Sequence, residues 1–416
     1  MAREHMPIQI GLPAEAAWEM QEPAPVSYLA FVTGDAMPDP GDAFTAIGET
    51  FGAAPQGVEP VPVEDDRVAW AFGCSLPSRA ARLMVWCEHA LEGVSPDGRA
   101  SDARWVLFVE TLLERDRAVA DSVALAAAVA RAGGARTKLV FDPGLGVAWG
   151  SAEIASLFLA KDGPVDERHL YRVELTARDR KDGPFWIATV GLARLGKPEL
   201  ELLDVPANRL RVGLELVDAL AARSVEEELP PAGVPFDAGE GLRVALVPAH
   251  EAIEALAPSA PGGAADRRSL PPGPRAAICA AGKRGAFRQV WMPPLEALDL
   301  LASGQAGLFI APRVSAVRAR LARETLGVFR RLHERRHLGA AEFLAKVARA
   351  GAADAREHCW IAVDALGPEG GSGVSMQAGE ATRRVEFAVA DLSDWRVLGM
   401  SPELPEIGPE NAGAVA

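Results

Sequence analysis

The stretch Phe185–Pro206, FWIATVGLARLGKPELELLDVP, limits the fold more than any other part of this chain. A strand-like apolar run, Phe185–Val190, meets a compact turn signal, Gly191 to Pro198. A second apolar run, Leu200–Val205, follows. Upstream, Leu170–Ala177 reads as a strand that pairs with Phe185–Val190 through the turn Lys181-Asp182-Gly183-Pro184, with Asp-Gly as the turn dipeptide. Downstream, Ala207–Ala222 carries Leu210, Leu214, Val217 and Leu220 on one face, so a helix packed back on the stretch is expected.

The rest of the first half alternates in kind. Ser27–Thr33, Arg67–Ser75, Arg104–Thr111, Thr137–Phe141 and Gly241–Val247 read as strands. Ala43–Phe51, Asp116–Ala132 and Ser151–Ala160 read as helices, the second closed by Gly133 and Gly134. Ser78 is a plausible N-cap for a helix to Leu91, because Leu83, Trp86, Cys87 and Ala90 fall at helical spacing. Strands alternating early with helices and pairing later imply an α+β, mixed-sheet domain with flanking helices.

The length of 416 residues calls for two or three domains. The Pro- and Gly-rich segment 257–275 reads as a linker, which sets a first domain at 26–250, a linker at 251–275 and a smaller α+β domain at 276–400. There, Ala276–Ala280, Phe287–Trp291, Gly307–Ala311, His358–Ala365 and Arg384–Ala390 are the expected strands. The expected helices are Leu295–Ser303, Ser315–His337 and Ala340–Ala350. The N-terminal arm and the acidic tail from Ser401 are weakly patterned.

The formal charge of −14 argues against a nucleic-acid binder, since phosphate contacts need a positive surface. No run reaches the roughly 18 apolar residues of a membrane helix, and the first residues lack a signal-peptide pattern, so the expected compartment is the cytoplasm. Cys74, Cys87, Cys279 and Cys359 form no CxxC pair and read as reduced, buried thiols. No cofactor is expected. His333 and His337 have an i, i+4 spacing, but without HExxH and among arginines they read as a solvated face, so no metal is expected. The Arg-rich helix 315–337 reads as an amphipathic helix with a polar Arg side. No GxSxG elbow is present, and Cys87-Glu88-His89, as helix neighbours, point apart.

Around the turn of the opening stretch stand Thr189, Arg194, Lys197, Glu199 and Glu201. Glu199 and Glu201 share one strand face, as acid/base pairs do, although a solvent-facing edge is the preferred reading. Arg194, Lys197, Glu199 and Glu201 are taken as binding candidates, and no residue as catalytic.

Two resemblances add to this. Residues 316–397 resemble a YegJ-like domain, a family of small α+β domains. The likeness rests on Ala322-Arg323-Glu324-Thr325-Leu326, Phe329, Phe343, Lys346-Val347, Arg356-Glu357-His358, Trp360 and Leu392-Ser393-Asp394-Trp395. It implies a fold and no established reaction; Glu357, His358, Asp394 and Trp395 become binding candidates through it. Phe185–Pro206 is similar to a motif of larger bacterial proteins, answered by Trp186, Thr189, Gly191, Leu192, Arg194, Gly196, Pro198, Glu199, Leu200 and Glu201. Those proteins often carry His where this chain has Val190. The resemblance implies an association with toxin-immunity or defence roles. The expected function is a non-catalytic protein-binding or immunity-type factor whose partner is another protein, a toxin or an assembly subunit. The alternatives are a hydrolase-like enzyme with a site between the domains, or a structural subunit.

Overall fold

The computed structural model describes residues 18, 24–77, 79–91, 93, 95–159, 166–177, 184–254, 256, 260–270, 273–281, 291–335, 341–350, 356–376, 383–399, 406–409 and 412. The architecture is α+β. Two compact units divide the chain: Met1–Ala160 with Glu167–Ile310, and Lys161–Asp166 with Ala311–Ala416.

The first unit opens with a seven-stranded antiparallel sheet in the order β2-β3-β4-β5-β1-β6-β7. Its strands are β1 (Ala24–Thr33), β2 (Gln56–Pro60), β3 (Val68–Ser75), β4 (Arg82–His89), β5 (Ala103–Leu113), β6 (Thr137–Asp142) and β7 (Val147–Gly150). Helices α1 (Pro40–Phe51), α2 (Ala118–Ala132) and α3 (Ser151–Leu157) accompany it. Asp39 caps α1, accepting from the Gly41 and Asp42 amides. The inner sheet face is buried at its centre: Tyr28 and Val85 meet Val109, and Ala30 and Cys87 meet Leu107. The Phe44 ring of α1 packs edge-on against Phe72 of β3, and α2 lies along β1, β5 and β6.

Within the helix expected over Ser78–Leu91, Arg82–His89 is strand β4, and the N-cap candidate Ser78 lies outside the described residues. Leu83, Val85 and Cys87 point inward while Met84, Trp86 and Glu88 point outward, a period of two. Apolar residues on both faces blurred that alternation and left Leu83, Trp86 and Cys87 at a spacing that also suits a helix.

The second sheet is mixed, in the order β14-β11-β12-β13-β10-β9-β8. It comprises β8 (Arg172–Ala177), β9 (Phe185–Val190), β10 (Glu199–Val205), β11 (Pro235–Glu240), β12 (Leu242–Pro248), β13 (Arg275–Ala280) and β14 (Gly307–Leu308). The expected β8–β9 pairing is present, with Arg172 opposite Val190 and Ala177 opposite Phe185; residues 181–183 of its turn lie outside the described residues. β10 runs antiparallel to β9 and parallel to β13. Helix α4 (Leu210–Glu226) covers one face, burying Leu216, Val217 and Leu220 on Ile187, Leu200, Leu202 and Val205. α5 (Ala249–Ile253) and α6 (Leu295–Ala302) complete this unit.

The compact units divide between Ile310 and Ala311, whereas the composition placed a linker at 251–275. β13 lies inside the second sheet, between β10 and β12, so the chain is not free to separate there. Pro261, Gly262 and Gly263 are buried, Gly262 with φ 77° against the Trp186 ring. A side chain at that glycine would meet the indole at 2.8 Å.

The second unit has α7 (Pro312–Glu324) and α8 (Leu326–Glu334) on a six-stranded sheet, order β18-β17-β16-β15-β19-β20. Its strands are β15 (Glu342–Ala350), β16 (Arg356–Leu366), β17 (Gly370–Ser375), β18 (Arg384–Ala388), β19 (Leu392–Leu398) and β20 (Glu406–Ile407). The single expected helix over Ser315–His337 breaks at Thr325. The helix expected over Ala340–Ala350 is strand β15, whose Phe343, Ala345 and Val347 alternate into the core. His333 is buried edge-on against Phe343 and not on a solvated face; its partner in the i, i+4 pair, His337, lies outside the described residues. Phe287–Val290 of a further expected strand also lie outside them. Among the described residues no helix is long and apolar enough to cross a membrane.

All four cysteines are buried and free. Burial pushes the Cys74 thiol up to about 11 and those of Cys87 and Cys279 up to about 12. The folded protein at about pH 8 is therefore expected to resist a thiol-exchange reagent, with all four cysteines reacting only in concentrated guanidinium. Rapid labelling of any of them without denaturant would contradict this packing.

Candidate functional site

The pleat of β10 turns Glu199, Glu201 and Leu203 to one face and Leu200 and Leu202 to the other. Glu199 is buried, and its carboxylate is filled from the turn itself. Oε2 accepts from Thr189 Oγ1 at 2.7 Å, and Oε1 accepts from the Gly191 and Ala193 amides at 2.8 and 3.1 Å. The Thr189 hydroxyl accepts in turn from the Leu200 amide at 2.8 Å. Gly191 makes this possible with φ 111°; a Cβ there would lie 2.6 Å from Leu145 Cδ2 and 2.8 Å from the Leu170 carbonyl.

Arg194 projects from the same turn into the interior and meets Asp142, the last residue of β6. Nη1 and Nη2 donate to the two carboxylate oxygens at 3.0 and 2.6 Å, and Nη2 also donates to the Leu170 carbonyl at 3.1 Å. Side-chain exposure is 9% for Arg194 and 0% for Asp142. The guanidinium lies 5.9 Å from the Tyr28 ring centroid. The pair thus ties the first sheet to the second within one unit.

Glu201 is the third engaged group, with no exposed surface. Arg275 Nη1 donates to it at 2.9 Å and Arg267 Nη1 at 3.1 Å, while Arg267 Nη2 holds its other oxygen. Arg267 Nε donates to the Gly262 carbonyl at 2.8 Å, and its guanidinium lies over Trp186. Glu199 and Glu201 are therefore not on a solvent-facing edge: β10 lies between β9 and β13, Glu199 is closed by its own turn, and Arg267 and Arg275 hold Glu201. Their shared face does not make an acid/base pair, because each carboxylate is already satisfied by its own donors. Lys197 stands apart, with Nζ donating to the Glu227 carbonyl at 3.0 Å. Burial, with Arg115 nearby, lowers its ammonium pKa.

The candidates of the second unit also separate. Trp395 has no exposed surface; its ring stacks on Phe329 at 4.8 Å and Nε1 donates to Thr325 Oγ1 at 3.1 Å, which anchors the break between α7 and α8. It is a core residue. Asp394 is buried and accepts from the Trp395 amide and Arg396 Nη2. Glu357 lies in β16 opposite Arg349. His358 is exposed on the outer face, beside an open cleft with Leu344, Trp360 and Met376. Its Nδ1 lies 3.0 Å from Ser393 Oγ, whose hydroxyl donates to the Lys346 carbonyl at 2.9 Å. The serine hydroxyl has one hydrogen, for which the Lys346 carbonyl and His358 Nδ1 compete. Among the described residues no three His, Cys, Asp or Glu side chains group as metal ligands.

A further surface escaped the sequence reading. On the first sheet's outer face the register sets Ala71, Trp86, Phe108, Leu29, Phe141 and Ala148 in one row across β3, β4, β5, β1, β6 and β7. All six are half-buried. The Trp86 and Phe108 rings stack with centroids 4.6 Å apart and planes 7° from parallel. Beside this row Phe31, Val106 and Leu139 form a buried cluster with Ala100. An antiparallel sheet facing water on one side ordinarily alternates to polar residues there; this row is apolar throughout. Reading Ser78–Leu91 as a helix concealed it, since Trp86 and Phe108 meet only if β4 is a strand.

Asp142→Asn would leave the Arg194 charge buried without compensation, at an expected cost of about 3–5 kcal/mol in urea unfolding. The double change Asp142→Leu with Arg194→Met should recover most of it; a loss unchanged in the double variant would refute the ion pair as the cause. Burial raises the Tyr28 phenol to about 12, Arg194 opposing and Asp142 adding to the rise. The folded value lies above the ordinary value of about 10, so the stability from the neutral phenol is full below about pH 10 and disappears as pH rises to about 12. Tyr28→Phe should flatten that part of the alkaline stability profile, and equal slopes in the two proteins would speak against it.

Residues 173–279 match the family described as Protein of unknown function (DUF4026) C-terminal. That span holds the Glu199 and Glu201 clusters and most of the second sheet, and it leaves out the Trp86–Phe108 row. No curated protein and no solved structure matches the chain.

Proposed function

We propose that this chain is a protein-binding factor of the immunity type, without catalysis of its own, which engages another protein through the outer face of its first sheet. The observation that carries this reading is the half-buried apolar row Trp86–Phe108–Leu29–Phe141 on the outer face of the first sheet, packed beside the buried cluster of Phe31, Ala100, Val106 and Leu139. Contiguous exposed apolar surface on a soluble domain marks contact sites, and stacked aromatics give large, rigid contact area. The engaged carboxylates of Glu199 and Glu201 agree with a scaffold role for the Phe185–Pro206 stretch. The second compact unit, Lys161–Asp166 with Ala311–Ala416, adds a further folded body. In this reading the protein works in the cytoplasm.

The test is co-purification from the native cell. A partner protein should appear in stoichiometric amount with the unaltered chain and be lost with Trp86→Asp, while the thermal transition moves by no more than a few degrees. A folded Trp86→Asp protein that keeps its partner would remove this surface from the proposal. A chain that brings down a metabolite and no protein would overturn the binding function itself.

A further inference from the structure

The apolar row is interrupted by charge at two defined places, and these say what chemistry a partner must bring. Glu88 follows Trp86 by two residues on β4, on the same outward face, opposite Val106. Glu110 follows Phe108 by two residues on β5, opposite Met84. The strands are antiparallel, so the stacked rings have one carboxylate toward each end, each about 7 Å along its strand.

Neither carboxylate is neutralised by the chain. Glu110 is exposed and has no side-chain hydrogen bond or ion pair among the described residues. Glu88 is half-buried, and burial raises its carboxyl pKa. The guanidinium that acts on it, Arg67, is already held by both oxygens of Asp65. Arg82, on the same face, is held by Glu59 at 2.9 Å. Elsewhere the chain sets arginines over Phe51, Tyr28, Phe236 and Trp186; among the described residues none lies over Trp86 or Phe108. Beyond Trp86 the row continues with Ala71, a small side chain beside the indole.

We infer that the Trp86–Phe108 stack, between Glu88 and Glu110, receives an arginine or lysine presented by a basic partner protein. This rests on the proposed binding function and names its partner class. Any partner that covers the row must also strip water from the two carboxylates. A neutral or acidic surface would leave them buried and unpaired, an unfavourable arrangement. A cation set on the aromatic stack brings positive charge between the two carboxylates and gains attraction from the ring faces. The chain's formal charge of −14 favours approach of the same class of partner and opposes acidic ones.

The probe is a synthetic peptide alternating leucine and arginine, with a second peptide carrying citrulline, the neutral isostere, in place of arginine. Both are titrated calorimetrically into the full chain. The arginine peptide should bind at least about tenfold more tightly than the citrulline peptide, the scale of an aromatic–cation contact plus a paired carboxylate. Trp86→Leu should weaken the arginine peptide several-fold and leave the citrulline peptide nearly unchanged. Glu88→Gln with Glu110→Gln should do the same. Glu49→Gln with Glu240→Gln removes equal charge from exposed positions off the row and should have no effect.

Equal affinity for the two peptides overturns the cationic class. So does equal weakening by the two pairs of Glu→Gln changes, which would reduce the binding to general charge attraction. Sedimentation that shows a dimer dispersed by Trp86→Asp makes a second copy of this chain the occupant and also overturns it. The underlying assignment of this surface fails separately, if Trp86→Asp retains the native partner protein, and the binding function fails if the chain brings down a metabolite and no protein.

Discussion

The first unit depends on one buried contact, the bidentate pair of Arg194 with Asp142. An arginine taken out of water needs its counter-charge and its remaining donors satisfied at once. Asp142 supplies the charge and the Leu170 carbonyl a further acceptor, while Nε stays buried without a hydrogen-bond partner among the described residues. The geometry is possible only because Gly191 bends the chain where any other residue would meet Leu145 and Leu170. The end of β6, the approach to β8 and the turn after β9 are thereby fixed to one another. The same turn is closed from within by Glu199, whose carboxylate collects the amides that the bend leaves without strand partners. Two charged side chains five residues apart therefore do separate tasks. One joins two sheets, and the other shapes the loop that makes the join.

A similar logic applies to the far side of β10. Glu201 would be costly in the middle of a mixed sheet without compensation. Two arginines provide it from segments distant in sequence, Arg267 before β13 and Arg275 at its start. The Pro- and Gly-rich segment consequently serves as the cover of a sheet face, its glycines allowing the backbone to lie against Trp186 and its arginine locking onto Glu201.

Much of the fold was legible in the sequence. The strands around Phe185–Pro206, the Ala-rich helix α2 and helix α4 announce themselves through runs, caps and period. What misled was of two physical kinds. β4 and β15 carry apolar residues at positions that suit both periods, and only cross-strand neighbours decide between them. Residues 257–275 have linker composition, yet composition does not reveal that β13 pairs with β10 and β12. The charged residues of the site were found as a group, Arg194, Glu199 and Glu201 included. Their roles were not legible, since the partners Asp142, Arg267 and Arg275 lie 52, 66 and 74 residues away. The aromatic row was invisible for the same reason, being assembled from six strands.

The row also makes the first sheet unequally tolerant of changes in chain length. Its six members face outward together only while each strand keeps its register with the next. One residue inserted within β4 would turn Cys87 to water and Trp86 into the core, and would move Glu88 off the face altogether. An insertion in the connections between strands shifts nothing on the sheet. In descendants of such a chain, length variation is thus confined to the loops, while the spacing from Trp86 to Glu88 and from Phe108 to Glu110 is held by the pleat itself.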